Sequence, residues 1–273
     1  MPMKRFLSQS LLYMLLAMIA FLFLLPFLWM LINTFKPSIE IIEMRILPSR
    51  LTLEHFERLT STMPIWRNTM NSLVTACSIT AGTLLFSTLV AYGIAKIPFP
   101  GRGVLFQFIT LTLIVPGSLT LIPRIMIVNE LGWINTYYAL IVPSLVSTYN
   151  VFFFRQFFMG IPMELNYSAH IDGASEFQIY YRIVLPLAKP ALITLGIFSF
   201  LAAWDDFMWP LMVTNSDEMR TLPIVVALFA QQFDVNLGEV MTIGSITALP
   251  MIVVYLAFQK HFVNGLVTTG LKM

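Results

Sequence analysis

The sequence predicts an all-α integral membrane protein of six transmembrane helices, with one helix–turn–helix loop presented on the cytoplasmic face. Three observations predict it: scarce charge, long uncharged intervals between the charges, and helix start and stop signals in the longest polar stretch. Of 273 residues, 58% are hydrophobic and 11% are charged. A soluble domain carries about 25% charged residues, so this chain cannot coat a water-facing globule. The 16 basic and 14 acidic residues leave a net charge of +2, which excludes a nucleic-acid surface built on basic charge. A single cysteine, Cys77, excludes an internal disulfide framework and a cysteine metal cluster. Its apolar neighbours predict a small core residue.

The spans follow from the gaps. Residues 6–35, 68–95, 103–123, 131–154 and 240–259 are free of charge, and each meets the requirement of about 20 apolar residues to cross a hydrocarbon core. A sixth helix is read from about Leu187 to Trp209. It carries Asp205 and Asp206 near one end, where an acid costs less than at mid-membrane. The first apolar stretch is about twice the length of a signal-peptide core and is expected to remain as an anchor. Pro26, Pro116, Pro143 and Pro250 fall inside spans, as packing irregularities or as hinges.

Six spans put both termini on one side. That side holds nine Lys and Arg: Lys4, Arg5, Lys96, Arg102, Arg155, Arg182, Lys189, Lys260 and Lys272. The other holds seven, five of them within 34–70. The bias and the short basic 96–103 turn place both termini in the cytoplasm.

The longest cytoplasmic stretch, 155–189, reads as two short helices. Pro162 suits a helix start, with Glu164 near the positive end of the dipole. Asp172-Gly173 stops that helix. Ser175 and Gln178 form a capping box for the second helix, and Phe177, Tyr180, Tyr181 and Val184 follow at the spacing of one packed stripe. Ser168, Ala169, Gly173 and Ala174 are expected to make a low-relief surface for a partner.

The stretch Glu164-Leu-Asn-Tyr-Ser-Ala-His-Ile-Asp-Gly-Ala-Ser175, with Leu185-Pro-Leu-Ala-Lys-Pro-Ala191 after it, resembles the "EAA" loop of permease subunits in binding-protein-dependent ABC importers. Asn33-Thr-Phe-Lys-Pro37, Trp204-Asp-Asp-Phe-Met-Trp-Pro210 and Gln259-Lys-His-Phe-Val-Asn-Gly-Leu266 are similar to the carbohydrate-uptake branch, with the smaller maltose-type subunit as the nearest pattern. The family's Glu-Ala-Ala falls on Tyr167-Ser168-Ala169, its Trp-Asn-Asp on Trp204-Asp205-Asp206, and 268–273 fits its C-terminal pattern loosely.

The resemblance implies a type I ABC importer permease that forms half of the translocation path for a sugar or sugar-like solute. Its anchor helix and external loop would occupy 1–66, the transmembrane domain 67–262 and a cytoplasmic tail 263–273. It implies a bacterial or archaeal cytoplasmic membrane and four kinds of partner: the bilayer, a second homologous permease, two ATP-binding subunits and an extracytoplasmic solute-binding protein. ATP and Mg would sit in those ATPase partners. Glu164, Tyr167, Ser168, Ala169, Asp172, Gly173 and Ala174 would then dock the ATPase on a coupling helix.

Asp205 and Asp206 are candidates for the pathway or an outer gate. Their plainer reading is a solvated helix end paired with Arg220 or a partner subunit. Asn71, Thr75, Ser78, Ser144, Thr148 and Asn150 are polar groups within spans, a pattern that more often bonds neighbouring helices than lines a path. His55, His170 and His261 lack metal-ligand spacing and read as surface residues. No Gly-Lys dipeptide, Gly-x-Ser-x-Gly or His-Glu-x-x-His occurs, so no catalytic, cofactor or metal residue is assigned and the chain is not read as an enzyme. The alternative is a stand-alone cation-coupled transporter or channel using Asp205 and Asp206.

Overall fold

A computed structural model describes the backbone of residues 2–231 and 236–270, and the side chains of residues 9–231 and 236–260. The His261 ring, the side chains of 261–266 in the last motif, and Lys4, Arg5 and Lys272 lie outside the described side chains. Of the 268–273 tail only backbone up to Gly270 is described.

Every regular element among the described residues is helical. Four helical segments are long and apolar enough to span a bilayer: Gln9–Asn33, Ile65–Lys96, Tyr137–Met159 and Leu237–Lys260. Two bent pairs, Arg102–Ile114 with Gly117–Glu130 and Glu176–Leu187 with Lys189–Trp204, raise the number to six if each pair is one span.

The third predicted span is broken rather than straight, with a bend of 100°. Proline disfavours helical backbone in the residue before it. Val115 is accordingly extended, at φ −77° and ψ 117°, and the helix restarts at Gly117 after Pro116. The fifth span also differs from its expected course to Trp209. Its helix covers Lys189–Trp204 and ends with Asp205 as C-cap, and a separate helix covers Met208–Val213. Pro190 sits in the first turn of the longer helix, where a missing N–H costs nothing. Pro26 and Pro250 remain inside continuous helices, and Pro143 lies in the 3₁₀ turn Val142–Ser144.

The chain divides into two compact units. One comprises Met1–Trp66 and Leu222–Pro250. Its first helix exposes apolar side chains from Leu11 to Leu28, the surface of a helix solvated by lipid. The segment after that helix is tied down by buried polar groups. Lys36 is fully buried; its ammonium donates to Asn33 Oδ1 (2.7 Å) and to the Arg45 carbonyl and lies 4.3 Å over the Trp29 ring. Burial pulls its pKa down. His55 is fully buried, not at the surface as expected, with Nε2 2.9 Å from the Lys36 carbonyl. Gly238 makes the room, since a Cβ there would meet the imidazole at 2.1 Å.

Two carboxylates close the same segment. Glu40 accepts from the Ser49 hydroxyl and amide, and Glu54 accepts from the Ser38 hydroxyl and amide, both at 2.7 Å. These bonds, the hydroxyl first in each case, hold both carboxyls below their ordinary range.

The other unit comprises Arg67–Thr221 and Met251–Met273. Its main core joins Ala91 and Tyr92, Phe154 and Phe158, and the 160–189 segment through Ile161, Ala169, Ile179, Tyr180, Val184 and Ala188. A second core gathers Val128, Ala139, Leu140, Trp209 and Val213, with Trp209 Nε1 donating to the Ala139 carbonyl at 2.9 Å.

Most polar side chains inside the spans bond neighbours. The Asn68 and Asn71 amides reach the carbonyls of Asp217, Glu218 and Arg220. Tyr137 donates to Asn71 Oδ1 at 2.6 Å, Asn150 to Ser199 Oγ at 2.7 Å, and Thr148 pairs with Thr112 at 2.9 Å. Cys77 is exposed rather than in the core, because it lies on the outward side of Ile65–Lys96 while Thr75, Ala76 and Ile79 point inward.

Substituting Gly238 by Ala is expected to cost about 1–3 kcal/mol through overlap with His55. The cost should shrink in the Gly238→Ala, His55→Ala double variant; equal losses in thermal unfolding with and without His55 would refute the clash. Acidification should destabilise this segment. Glu40 and Glu54 have lowered folded pKa values, so their stabilisation is complete above about pH 4.3 and is lost as pH falls through the lowered values. Hydrogen-exchange protection of the Ser38 and Ser49 amides should drop in that acid window and hold from pH 5 to 8.

Candidate functional site

The loop that follows helix Thr148–Met159 is built from local signals. The Lys96 ammonium donates to the Ile161 carbonyl and lies 3.7 Å from Met163 Sδ, pinning the start of the loop to the end of helix Ile65–Lys96. Helix Glu164–Ile171 starts with Glu164 in its first turn, where the dipole favours an acid. It turns Asn166 and Ala169 inward and leaves Leu165, Tyr167, Ser168, His170 and Ile171 outward.

Its exit is a Schellman motif. The Gly173 N–H bonds the His170 carbonyl at 3.0 Å, and the Ala174 N–H bonds the Ala169 carbonyl at 2.9 Å. Gly173 sits at φ +80°, which glycine alone adopts without a Cβ penalty. The capping box then forms as the sequence indicates. Ser175 N–H donates to Gln178 Oε1 at 2.9 Å, and Gln178 N–H donates to Ser175 Oγ at 3.4 Å.

The second helix departs from one expectation. After Glu176–Ile179 the backbone widens into a π-turn over Tyr180–Val184. The predicted single stripe therefore splits: Tyr180 and Val184 are buried, whereas Phe177 and Tyr181 are 68% and 65% exposed. The buried half is fastened by hydrogen bonds. Tyr180 Oη lies 2.8 Å from Thr88 Oγ1, and Tyr92 Oη donates to Glu176 Oε2 at 2.6 Å. The other oxygen of Glu176 lies 3.1 Å from His170 Nε2. One carboxylate thus links a spanning helix to both helices of the loop.

The predicted residues divide by exposure. Glu164, Tyr167, Ser168, Asp172 and Gly173 are at the surface, and Ala174 is half-buried. Ser168 Oγ spends its proton on the Glu164 carbonyl at 2.7 Å. Ala169 is the correction: it is buried in the main core, so it supports the outer face from beneath and adds nothing to a low-relief surface. The outer face is instead large and apolar, with Tyr167 60% and Ile171 87% exposed. Exposed apolar groups of this size on water-facing elements mark an interaction surface. The sequence reading left Ile171 off the outer face and counted Phe177 and Tyr181 as packed, because helical spacing alone does not say which flank of an apolar stripe meets the core. A cleft of about 400 Å³ beside this face is lined by Lys96, Arg102, Asn166, Tyr167, His170 and Glu176 among others.

Asp205 and Asp206 lie at the other end of helix Lys189–Trp204, about 24 Å along its axis by helical rise. Asp205 is exposed and Asp206 half-buried. Asp206 Oδ1 accepts the Trp209 N–H at 3.3 Å, and the Arg124 charge acts on it. The Arg124 guanidinium lies 4.2 Å over the Trp209 ring. Arg220, their expected partner, pairs with Asp217 instead, three residues away on its own turn.

Tyr92→Phe is expected to loosen the loop by about 1 kcal/mol, since it removes a hydrogen bond to a half-exposed carboxylate. Amide protection over 176–184 should fall while the protection of Thr80–Val90 is unchanged. Protection unaltered in both segments would show that Tyr92 does not fasten the loop.

The sequence profile of the family described as binding-protein-dependent transport system inner membrane component matches residues 83–267. The chain is 36% identical to the arabinooligosaccharides transport system permease protein AraQ of Halalkalibacterium halodurans, over 94% of each chain. It is 32% identical to the lactose transport system permease protein LacG of Rhizobium radiobacter, over 97% of each. It is 33% identical to the sn-glycerol-3-phosphate transport system permease protein UgpE of Escherichia coli, over 85% of each. Among solved structures, a chain of a bacterial ABC transporter involved in the import of the acidic polysaccharide alginate superposes with a TM-score of 0.84 at 21% identity, covering 94% of this chain and 96% of that one. At that identity the likeness is one of fold.

Proposed function

Because the chain belongs to the family of binding-protein-dependent transport system inner membrane components, we propose that it forms half of the solute path of an ATP-driven importer and receives its drive through the 164–179 loop. It is the membrane-spanning permease subunit of an ABC importer, of the kind that takes up carbohydrate-like solutes. The observation that carries the coupling role is the loop itself. It is bound to the spans through Tyr92, Lys96, Tyr180 and Val184, while Tyr167, Ile171, Phe177 and Tyr181 stand outward.

In this reading the outward face docks in a cleft of a cytoplasmic ATPase, with Glu164, Tyr167, Ser168, Asp172, Gly173 and Ala174 on or beside the contact. Tyr167, at the place of the family's glutamate, contributes packing and one hydrogen bond rather than a charge. ATP and Mg are bound by two such partner subunits, a second homologous permease completes the path, and an external binding protein delivers the solute. Both termini lie in the cytoplasm of a bacterial or archaeal cell, with the chain in its inner membrane. Closure of the ATPases would draw the two coupling loops together and rock the spans from inward-open to outward-open. Neither the comparisons nor the geometry favours cation coupling through Asp205 and Asp206, since Asp206 is engaged with Trp209 and Arg124.

Purification of the tagged chain from its native membranes in mild detergent should bring with it a protein bearing a phosphate loop and a second multi-span chain. Isolation of this chain alone, still transporting in vesicles without ATP, would overturn the importer reading. Ile171→Asp is expected to lower solute-stimulated ATP hydrolysis and uptake by tenfold or more, as about 2 kcal/mol is lost when a charge replaces a buried apolar contact. Membrane insertion should be unaffected, because Ile171 makes no contribution to the chain's own core. Uptake at the unaltered rate would remove Ile171 from the coupling face.

A further inference from the structure

Arg102 and Arg155 lie on the helices Arg102–Leu111 and Thr148–Met159 where these close on each other, at the loop end of the spans. The Phe106 and Phe152 rings stack at 5.9 Å and join these helices. The Arg155 guanidinium lies 3.8 Å over the Phe106 ring, and Arg102 stands one helical turn before Phe106 on the same helix. The Arg155 Nε is buried without a hydrogen-bond acceptor, and neither arginine has an acidic partner among the described residues. Two basic side chains on adjoining helices with no acidic partner present planar N–H donors suited to an anion with several acceptor oxygens.

The backbone adds to this preference. Arg102 opens a ten-residue helix behind Gly101, which sits at φ +83° and supplies no capping side chain. The first N–H groups of that helix therefore face the same way as its positive dipole end. Beside them, Leu105 and Met159, one turn from Arg102 and Arg155 respectively, are exposed and apolar, a surface suited to hydrocarbon. An anion with an attached hydrocarbon tail satisfies both parts. We propose that Arg102 and Arg155 hold the phosphodiester of an anionic glycerophospholipid, in the leaflet at the coupling-loop end. Arg102 also lines the cleft shared with Asn166, Tyr167 and His170, so this lipid would border the loop that meets the ATPase.

The test uses the transporter as purified from membranes, washed with phosphatidylcholine, with retained lipid measured by native mass spectrometry and lipid extraction. The wild-type protein should keep a phosphatidylglycerol that the wash does not remove. Arg102→Gln and Arg155→Gln should each lower its retention about fivefold, the scale of one basic residue at an anionic surface, at unaltered membrane insertion. Wild-type protein first exchanged into phosphatidylcholine should take phosphatidylglycerol back on titration, a measurement that depends on no variant. Equal retention in wild type and variants, or no uptake on that titration, overturns the site. Complete displacement by inorganic phosphate would assign the pair to a soluble anion and overturn the lipid. Cross-linking of Arg155→Cys to a carboxylate-rich segment of a co-purified subunit would assign it to a protein contact and overturn the lipid equally.

Discussion

The functional reading depends on the attachment of one loop to one helix. A surface that docks a partner transmits force to the spans only if it moves with them as one body. Here the attachment is made twice over. Apolar contact comes from Ala169, Ile179, Tyr180 and Val184 against Ala91, Tyr92, Phe154 and Phe158, and directional contact comes from Tyr92 on Glu176 and Lys96 on the Ile161 carbonyl. Packing resists compression and hydrogen bonds resist sliding, so the two together leave little freedom between loop and helix. Glu176 is central, since its second oxygen meets His170 and so binds the first short helix to the second.

The same logic explains why the loop uses small and large residues at particular places. Ala169 is small because it lies between helix Glu164–Ile171 and the core beneath, not because a partner needs a flat surface. Gly173 reverses the chain at φ +80° and lets the two helices share Glu176. The bulk sits at Tyr167, Ile171, Phe177 and Tyr181, which are largely exposed among the described residues. A docking surface with its large groups outward and its small groups inward behaves as a key supported from behind.

Much of this was legible in the sequence. Charge-free intervals located five apolar segments, and the sixth was read up to its terminal acids, because charge is costly in hydrocarbon whatever the fold. The Asp172-Gly173 stop and the Ser175–Gln178 capping box were legible because they are local hydrogen-bond devices that act over four residues. Three features were hidden for a common reason, namely that each depends on contacts between distant residues. His55 is buried because Gly238 lies against it. Tyr180 is buried against Ala91, Tyr92 and Phe154 while Tyr181 beside it stays exposed. Asp206 finds Trp209 and Arg124 because the fifth span ends at Trp204 instead of continuing.

The broken spans connect this local chemistry to movement. In hydrocarbon, backbone groups freed by a helix break must be satisfied inside the protein. Near Ala188, whose N–H bonds both the Val184 and Leu185 carbonyls, the chain turns by 79° between the coupling loop and the fifth span. At Val115–Pro116 the turn is 100°, and proline has no N–H to satisfy. A straight helix would carry a push from the loop along its own axis. Under the proposed coupling role, a bend of this size would turn the same push into rotation of the segment beyond it.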